Sequence, residues 1–342
     1  MKRLFIVLFM ALAVLSCDKE KADETTCLVN EKIPEEKLKP IMQKSRQLMH
    51  LLETGKTKEL YNKGTAEMQS RQTFDQFKHY LENFTESFGE MSFPRLREVY
   101  YLTSNSDKKQ VWVPCNIGEK GVNDLHLVPT NRKLAVGVFR VRSEMEELRV
   151  IIRMEDMDGQ WKFSAVEIYP VTIDHKLYGH YFQKAREYRE RGLLRLAVLY
   201  YKTAIKLSEM GIGVQEFVSQ AIVKQLQQIK VDYIPSGEQK VWKVDGEEFK
   251  VYSVDPVYAQ GNHLVQIRYI SPSLGDKKEL EKNARKLAEF ANRKFPEYRL
   301  GFDGIRIMAT SQKKSEAMMT WHKMFLFDTL PEPDNVPEAE SD

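Results

Sequence analysis

Cysteine is scarce in this 342-residue chain: three occur, at Cys17, Cys27 and Cys115. So few thiols exclude a disulfide-dense scaffold and any zinc site built on paired Cys-x-x-Cys motifs. Also missing are His-Glu-x-x-His, Gly-x-Ser-x-Gly, a phosphate-binding Gly-rich loop and a dinucleotide fingerprint. The seven histidines (50, 79, 126, 175, 180, 263 and 322) are scattered. His175 and His180 are five apart, a spacing that does not suit one helical face for a metal. No cofactor or metal is expected, and a non-catalytic role leads. Past residue 16, no apolar run approaches the roughly 20 residues a membrane helix needs. An excess of one charge is lacking too. The formal net charge is +3, and Lys2 and Arg3 supply two of those charges. Nucleic acid is therefore not an expected partner.

At the N-terminus, Lys2 and Arg3 precede an unbroken apolar run from Leu4 to Leu15, which Ser16, Cys17 and the charged Asp18-Lys19-Glu20-Lys21 follow. A run this short, with charge directly after it, reads as a signal peptide over residues 1–16. Its removal would leave a net charge of +1, since Lys2 and Arg3 go with it. The segment Val14-Leu15-Ser16-Cys17 resembles the lipobox of bacterial lipoproteins. That resemblance implies diacylglycerol on the Cys17 thiol and a further acyl chain on the freed amine. Two or three chains, at about 0.8 kcal/mol per buried methylene, hold a protein firmly on a bilayer. It also implies a cell-envelope location, on the periplasmic or outer face, with the membrane as one partner. Asp18 resembles the inner-membrane retention signal of enteric bacteria. Residues 17–36 then read as a lipidated tether, polar and without a helical or strand period.

Residues 37–172 read as helices followed by strands, an α+β order. A helix is expected over 37–53, with Leu38, Ile41, Ser45, Leu48, Leu51 and Leu52 on one stripe and Pro40 in its first turn. Gly55 stops it, and a short helix follows over 56–65. Thr73 is placed as the N-cap of a third helix, whose face carries Phe74, Phe77, Tyr80, Leu81, Phe84 and Phe88 before Gly89. Strands are expected over 97–102, 110–113, 134–141, 147–152 and 160–169, with Asp158-Gly159 as a hairpin turn.

Four stretches carry a resemblance: Leu51-Leu52-Glu53-Thr54-Gly55, Thr73-Phe74-Asp75-Gln76-Phe77, Phe88-Gly89 and Asp156-Met157-Asp158-Gly159-Gln160-Trp161-Lys162. Together they resemble the small NTF2-like domains of secreted bacterial proteins. The resemblance implies a cone whose concave sheet can hold a small apolar ligand, and in some members an inward carboxylate base with a tyrosine donor. Asp156, Glu167, Tyr100 and Tyr101 are of the right types, though the pattern fixes no face for them. Phe77, Tyr80, Phe84, Trp112 and Trp161 are read as core.

Over residues 173–230, Tyr181, Ala185, Tyr188, Gly192, Ala197, Tyr201 and Ala204 resemble one tetratricopeptide repeat, with Lys184 where that family prefers Leu. A single repeat cannot bury its own face, so it must pack on something. Residues 214–230 supply a third amphipathic helix. Arg186, Arg189, Arg191 and Arg195 fall on this unit, interleaved with Glu187 and Glu190. They read either as a solvated face or as a candidate interaction surface for an anionic peptide.

Residues 231–328 read as an antiparallel sheet with one helix. The expected order is strand 240–244, the turn Asp245-Gly246, strands 248–252 and 264–270, helix 276–294, then strands 304–308 and 321–327. Residues 329–342 read as a disordered acidic tail. Cys27 and Cys115 leave two readings open. They are unpaired, as the place of Cys27 in a polar tether favours, or they form a disulfide that orders residues 27–34. The whole chain is expected to be a membrane-anchored scaffold that binds another envelope protein. A small-molecule-binding or enzymatic cone is the alternative.

Overall fold

The computed structural model describes residues 24–106, 108–117, 122–209, 214–215, 217–235, 237–311 and 320–333. The expected signal peptide, Cys17 and residues 334–342 lie outside the described residues. The fold class is α+β.

Glu24–Val29 form strand β1, followed by helices α1 (Glu35–Glu53), α2 (Thr57–Asn62), α3 (Ala66–Arg71) and α4 (Phe74–Phe88). Helix α1 begins two residues earlier than the periodicity indicates, so Pro40 sits in its second turn. Both Pro40 and Glu36 are exposed, so water can reach the Glu36 carbonyl that Pro40 cannot bond. Helix α4 opens on a full capping box. The Thr73 hydroxyl accepts from the Gln76 N–H at 3.3 Å, and the Gln76 side chain accepts from the Thr73 N–H at 2.9 Å.

Strands β2 (Met91–Asn105), β5 (Lys133–Ser143), β6 (Glu147–Met157) and β7 (Gln160–Pro170) follow, with β3 (Gln110–Ile117) and β4 (Val122–Pro129) between β2 and β5. One antiparallel sheet has the order β1-β2-β5-β6-β7. Its two faces separate by alternation, reset at the register shifts in β2 and between β6 and β7. Val99, Tyr101, Ala135, Phe139, Val150, Ile152 and Met154 join Ile41, Leu48, Phe77 and Leu81 under the helices. Tyr100, Leu102, Leu134, Val136, Val138 and Ile151 form a second core with Val111, Val113, Cys115 and Val128 of the β3–β4 hairpin. The hairpin therefore covers part of the outer face. Strand β4 was not expected from the sequence, where its Asn-Asp-Leu-His-Leu run gives no clean apolar pattern.

The tether reading fails for residues 24–36. Strand β1 pairs Cys27 with Leu102 and Val29 with Tyr100, and Val29 and Ile33 are buried. Cys27 and Cys115 form a disulfide with Cα atoms 5.3 Å apart, so the favoured unpaired reading is corrected. Two aromatics read as core are half in water instead: Tyr80 is 37% and Trp112 43% exposed. Trp112 lies on the solvent side of the hairpin, between buried Val111 and Val113.

Helices α5 (Tyr178–Glu190) and α6 (Leu194–Ser208) form a hairpin closed by Gly192 at φ 77°. Tyr181, Ala185, Tyr188, Ala197, Tyr201 and Ala204 are all buried. Beyond α6, β8 (Val214–Gln215) pairs with β4, and α7 (Phe217–Gln227) packs on α6.

The last segment holds β9 (Lys240–Val244), β10 (Glu247–Ala259), β11 (Asn262–Ser271), α8 (Lys277–Lys294), β12 (Gly304–Ser311) and β13 (Thr320–Leu326), in the sheet order β13-β12-β11-β10-β9. The sheet is mixed and not antiparallel throughout. Strands β11 and β12 run parallel, because α8 carries the chain across between them. The expected tail is also shorter at its start. Leu330 is buried, and the Pro331 carbonyl accepts from Asn292 at 2.6 Å and from Arg299 at 3.2 Å.

Helix α6 joins the two α+β segments. Lys202 donates to the Val254 carbonyl at 2.7 Å and to Asp255 at 2.9 Å. Arg149 of β6 donates to the Glu209 carbonyl just past α6 at 2.5 Å. Phe88 stacks on Tyr258 with ring centroids 5.5 Å apart, so one continuous apolar cluster runs from Ile33 to Leu330.

Candidate functional site

The four arginines expected on the helical hairpin do not act together. Arg186 and Arg189 line an open cleft of about 540 Å³ with Glu190, Tyr201 and Gln225. Arg189 donates to the Gln228 side chain at 3.4 Å. Arg191 is exposed but does not line that cleft. Arg195 is spent inside the molecule. Its guanidinium lies 3.3 Å from the Glu297 carboxylate and 5.1 Å from the Phe295 ring centroid. The turn at Gly192 separates it from Arg191, and the C-terminal segment covers its side of α6.

The carboxylates and tyrosines of an enzymatic cone are placed apart. Asp156 accepts from the Gly159 N–H at 2.8 Å and lies 3.6 Å from Lys133, so it holds the β6–β7 turn. Tyr101 is under the helices, with Lys37 4.9 Å over its ring. Tyr100 is on the opposite face and donates to Glu98 at 2.8 Å. Glu167 also faces outward, opposite Ile151 of the outer core. Arg153 donates to one of its oxygens at 2.6 Å and Tyr169 to the other at 2.8 Å. A cleft of about 390 Å³ reaches Glu167, Tyr80 and Tyr169 at the β7 edge. Between the helices and the sheet, no buried carboxylate occurs among the described residues. Ser45, fully buried, faces Gly137, and a Cβ on that glycine would come within 2.7 Å of the Ser45 hydroxyl. At this point helix α1 and strand β5 are in close contact.

A different site emerges where the hairpin leaves the outer face. Strand β5 continues the alternation of Leu134, Val136 and Val138 with Arg140 and Arg142, while Phe139 and Val141 stay in the core. Strand β2 presents Arg95 and Arg97 beside them, with Leu96 packed inward. Arg95 lies directly opposite Arg140, and Ser92 opposite Arg142. A register shift between Ser92 and Arg95 carries Phe93 at φ 52°, which turns its ring out of the sheet, 72% exposed. Phe93, Arg95, Arg97, Arg140, Val141, Arg142 and Glu147 line an open cleft of about 360 Å³. Glu147, 3.6 Å from Arg140, is the one acid among them. Four guanidinium groups thus share one carboxylate. The signal was present in the sequence as two Arg-x-Arg steps, Arg95-Leu96-Arg97 and Arg140-Val141-Arg142. It carried no weight there, because only the register brings them side by side.

Among the described residues, no group of His, Cys, Asp and Glu converges as a metal site, and no helix is long and apolar enough to cross a membrane. No family model, curated protein or solved structure matches the chain.

Proposed function

We propose that this chain is a membrane-tethered, non-catalytic interaction protein of the bacterial cell envelope. Lipid on Cys17 holds it at the membrane, with Asp18 favouring the inner one, and the α5–α7 cleft offers Arg186, Arg189 and Glu190 to an envelope protein. The observation that carries the non-catalytic part is the placement of the buried carboxylates in the first segment, read as an NTF2-like unit, among the described residues. Its buried acids, Glu146 and Glu167, both lie outside the space between helices and sheet. Each Glu167 oxygen is already taken. An enzymatic cone needs an inward, available base.

Two measurements test the reading. Cys17→Ala abolishes fatty-acid labelling and releases the protein from membranes; unchanged labelling overturns the tether. Crosslinking in intact envelopes captures a protein partner, and Arg186→Glu with Arg189→Glu loses it. A captured partner that persists in this double variant places the binding surface elsewhere. The small-molecule reading rests on the cleft at the β7 edge, and saturable uptake of an apolar ligand that is lost in Tyr80→Ala would favour it.

A further inference from the structure

The arginine face has a cost without a partner. Like charges directly opposite each other on neighbouring strands are unfavourable, and Arg95 and Arg140 are such a pair. Arg95, Arg97 and Arg142 are exposed rather than folded back onto the protein. Guanidinium groups suit phosphate, which they grip with two parallel N–H donors. Phe93 protrudes beside them, an apolar side chain of the kind that buries at the headgroup–acyl boundary.

We propose that Phe93, Arg95, Arg97, Arg140 and Arg142 dock the protein on anionic phospholipid headgroups of the membrane that carries its anchor. This rests on the reading that Cys17 is lipidated, because the lipid is what brings this face to a bilayer. The geometry gives the second contact a purpose. Strand β1 begins opposite Asn105, ten residues along β2 from Arg95, which at about 3.3 Å per residue is some 30 Å away. From Cys17 to Glu24 the chain spans at most about 25 Å. The lipid therefore restrains one end of the sheet and leaves the rest free to swing. A basic patch at the other end fixes which face lies on the membrane.

The test uses unlipidated protein, residues 17–342 with Cys17→Ser, which keeps every described element. Flotation is measured with vesicles of phosphatidylcholine alone and with added phosphatidylglycerol. The expected result is binding to the anionic vesicles only, weakening as salt rises. Arg95→Gln with Arg142→Gln should lower the partition coefficient about thirtyfold, at roughly fivefold per arginine near a charged surface. Arg95→Lys with Arg142→Lys keeps the charge and should retain most of the binding, so a loss in the Gln variant reports charge rather than folding. Phe93→Ala should weaken binding on anionic vesicles. Equal binding to neutral vesicles, no binding to anionic ones, or an unchanged Gln variant overturns the proposal. Retention on immobilised polyglutamate without vesicle binding also overturns it, in favour of an acidic protein partner. Because the probe protein carries no lipid, failure here leaves Cys17 lipidation standing, and loss of Cys17 labelling leaves vesicle binding to be judged by itself.

Discussion

Cys27 in β1 and Cys115 in β3 are joined by a disulfide that ties the first strand of the large sheet to the hairpin on its outer face. The bridge links residues 88 apart in sequence. In the chain-entropy model such a link is worth about 4–5 kcal/mol, and native disulfides commonly deliver about 2–4. Cys27→Ala should lower the urea midpoint by an amount matching 2–4 kcal/mol, and reductant should then have no further effect. An unshifted midpoint, or two free thiols in the unreduced protein, would show that the two are not joined.

Gly137 and Ser45 make a second test, this time of the contact between helix α1 and strand β5. A methyl group on Gly137 meets the Ser45 Oγ at 2.7 Å and its Cβ at 2.9 Å. Gly137→Ala should cost about 1–3 kcal/mol by overpacking. Ser45→Gly removes both atoms, at about 1 kcal/mol of helix propensity. The double variant should therefore be more stable than the two single losses predict. Additive losses in thermal melts would mean that helix and sheet leave room at this point.

Arg195 and Arg186 look alike in the sequence and differ in the fold. Arg195→Ala strips the counter-ion from largely buried Glu297 and the stacking partner from Phe295. A loss of about 1–2 kcal/mol is expected, discounted because Arg195 is one-third exposed. Arg186→Ala, on an exposed position, should stay within about 0.5 kcal/mol. Equal effects in urea titrations would put Arg195 back on the surface.

The contrast between these two residues marks how far the sequence reads. Periodicity located α1, α4 and α8, because each needs only one apolar stripe; α6, buried nearly all round, was placed by the repeat-like spacing of Ala197, Tyr201 and Ala204. Asp158-Gly159 and Asp245-Gly246 located two hairpins, because each pair can take the positive φ that such a turn requires. Strands β1 and β4 were not legible. Thr25, Thr26 and Asn123 to Asp124 give no clean alternation, and what orders β1 is pairing with β2, some 75 residues later. Sidedness was hidden as well. Nothing local to Arg195 says that the C-terminal segment lies over it. Nothing in Arg95 or Arg140 says that they face each other.

The last prediction concerns pH. His126 lies under the β3–β4 hairpin, its ring 4.8 Å from that of Tyr100, with neither ring nitrogen hydrogen-bonded among the described residues. Burial, reinforced by the Arg153 charge, pushes its pKa down to about 4. Burial, with Lys206 nearby, takes His263 down to about 3, beside the Thr203 hydroxyl at 3.3 Å. Both rings are therefore neutral in the folded protein at pH 5, whereas in the unfolded chain they titrate near 6.5. Between about pH 6.5 and 4 the unfolded state binds the extra protons, so stability is full above that window and falls as the pH drops through it. At about 1.4 kcal/mol per pH unit, each histidine removes about 2 kcal/mol on going from pH 7 to pH 5. Asp174 and Glu209 work the other way. Both residues are exposed, but partial desolvation of their carboxyl groups raises them, so their folded forms take up protons earlier than the unfolded chain and offset part of the loss. The clean measurement is therefore a difference. His126→Phe keeps an aromatic ring against Tyr100 and removes the proton site. Its loss of stability between pH 7 and pH 5, from urea titrations, should be about 2 kcal/mol smaller than that of the unmodified chain. An identical pH dependence in the two proteins would mean that His126 already carries a proton, or is open to water, in the folded state.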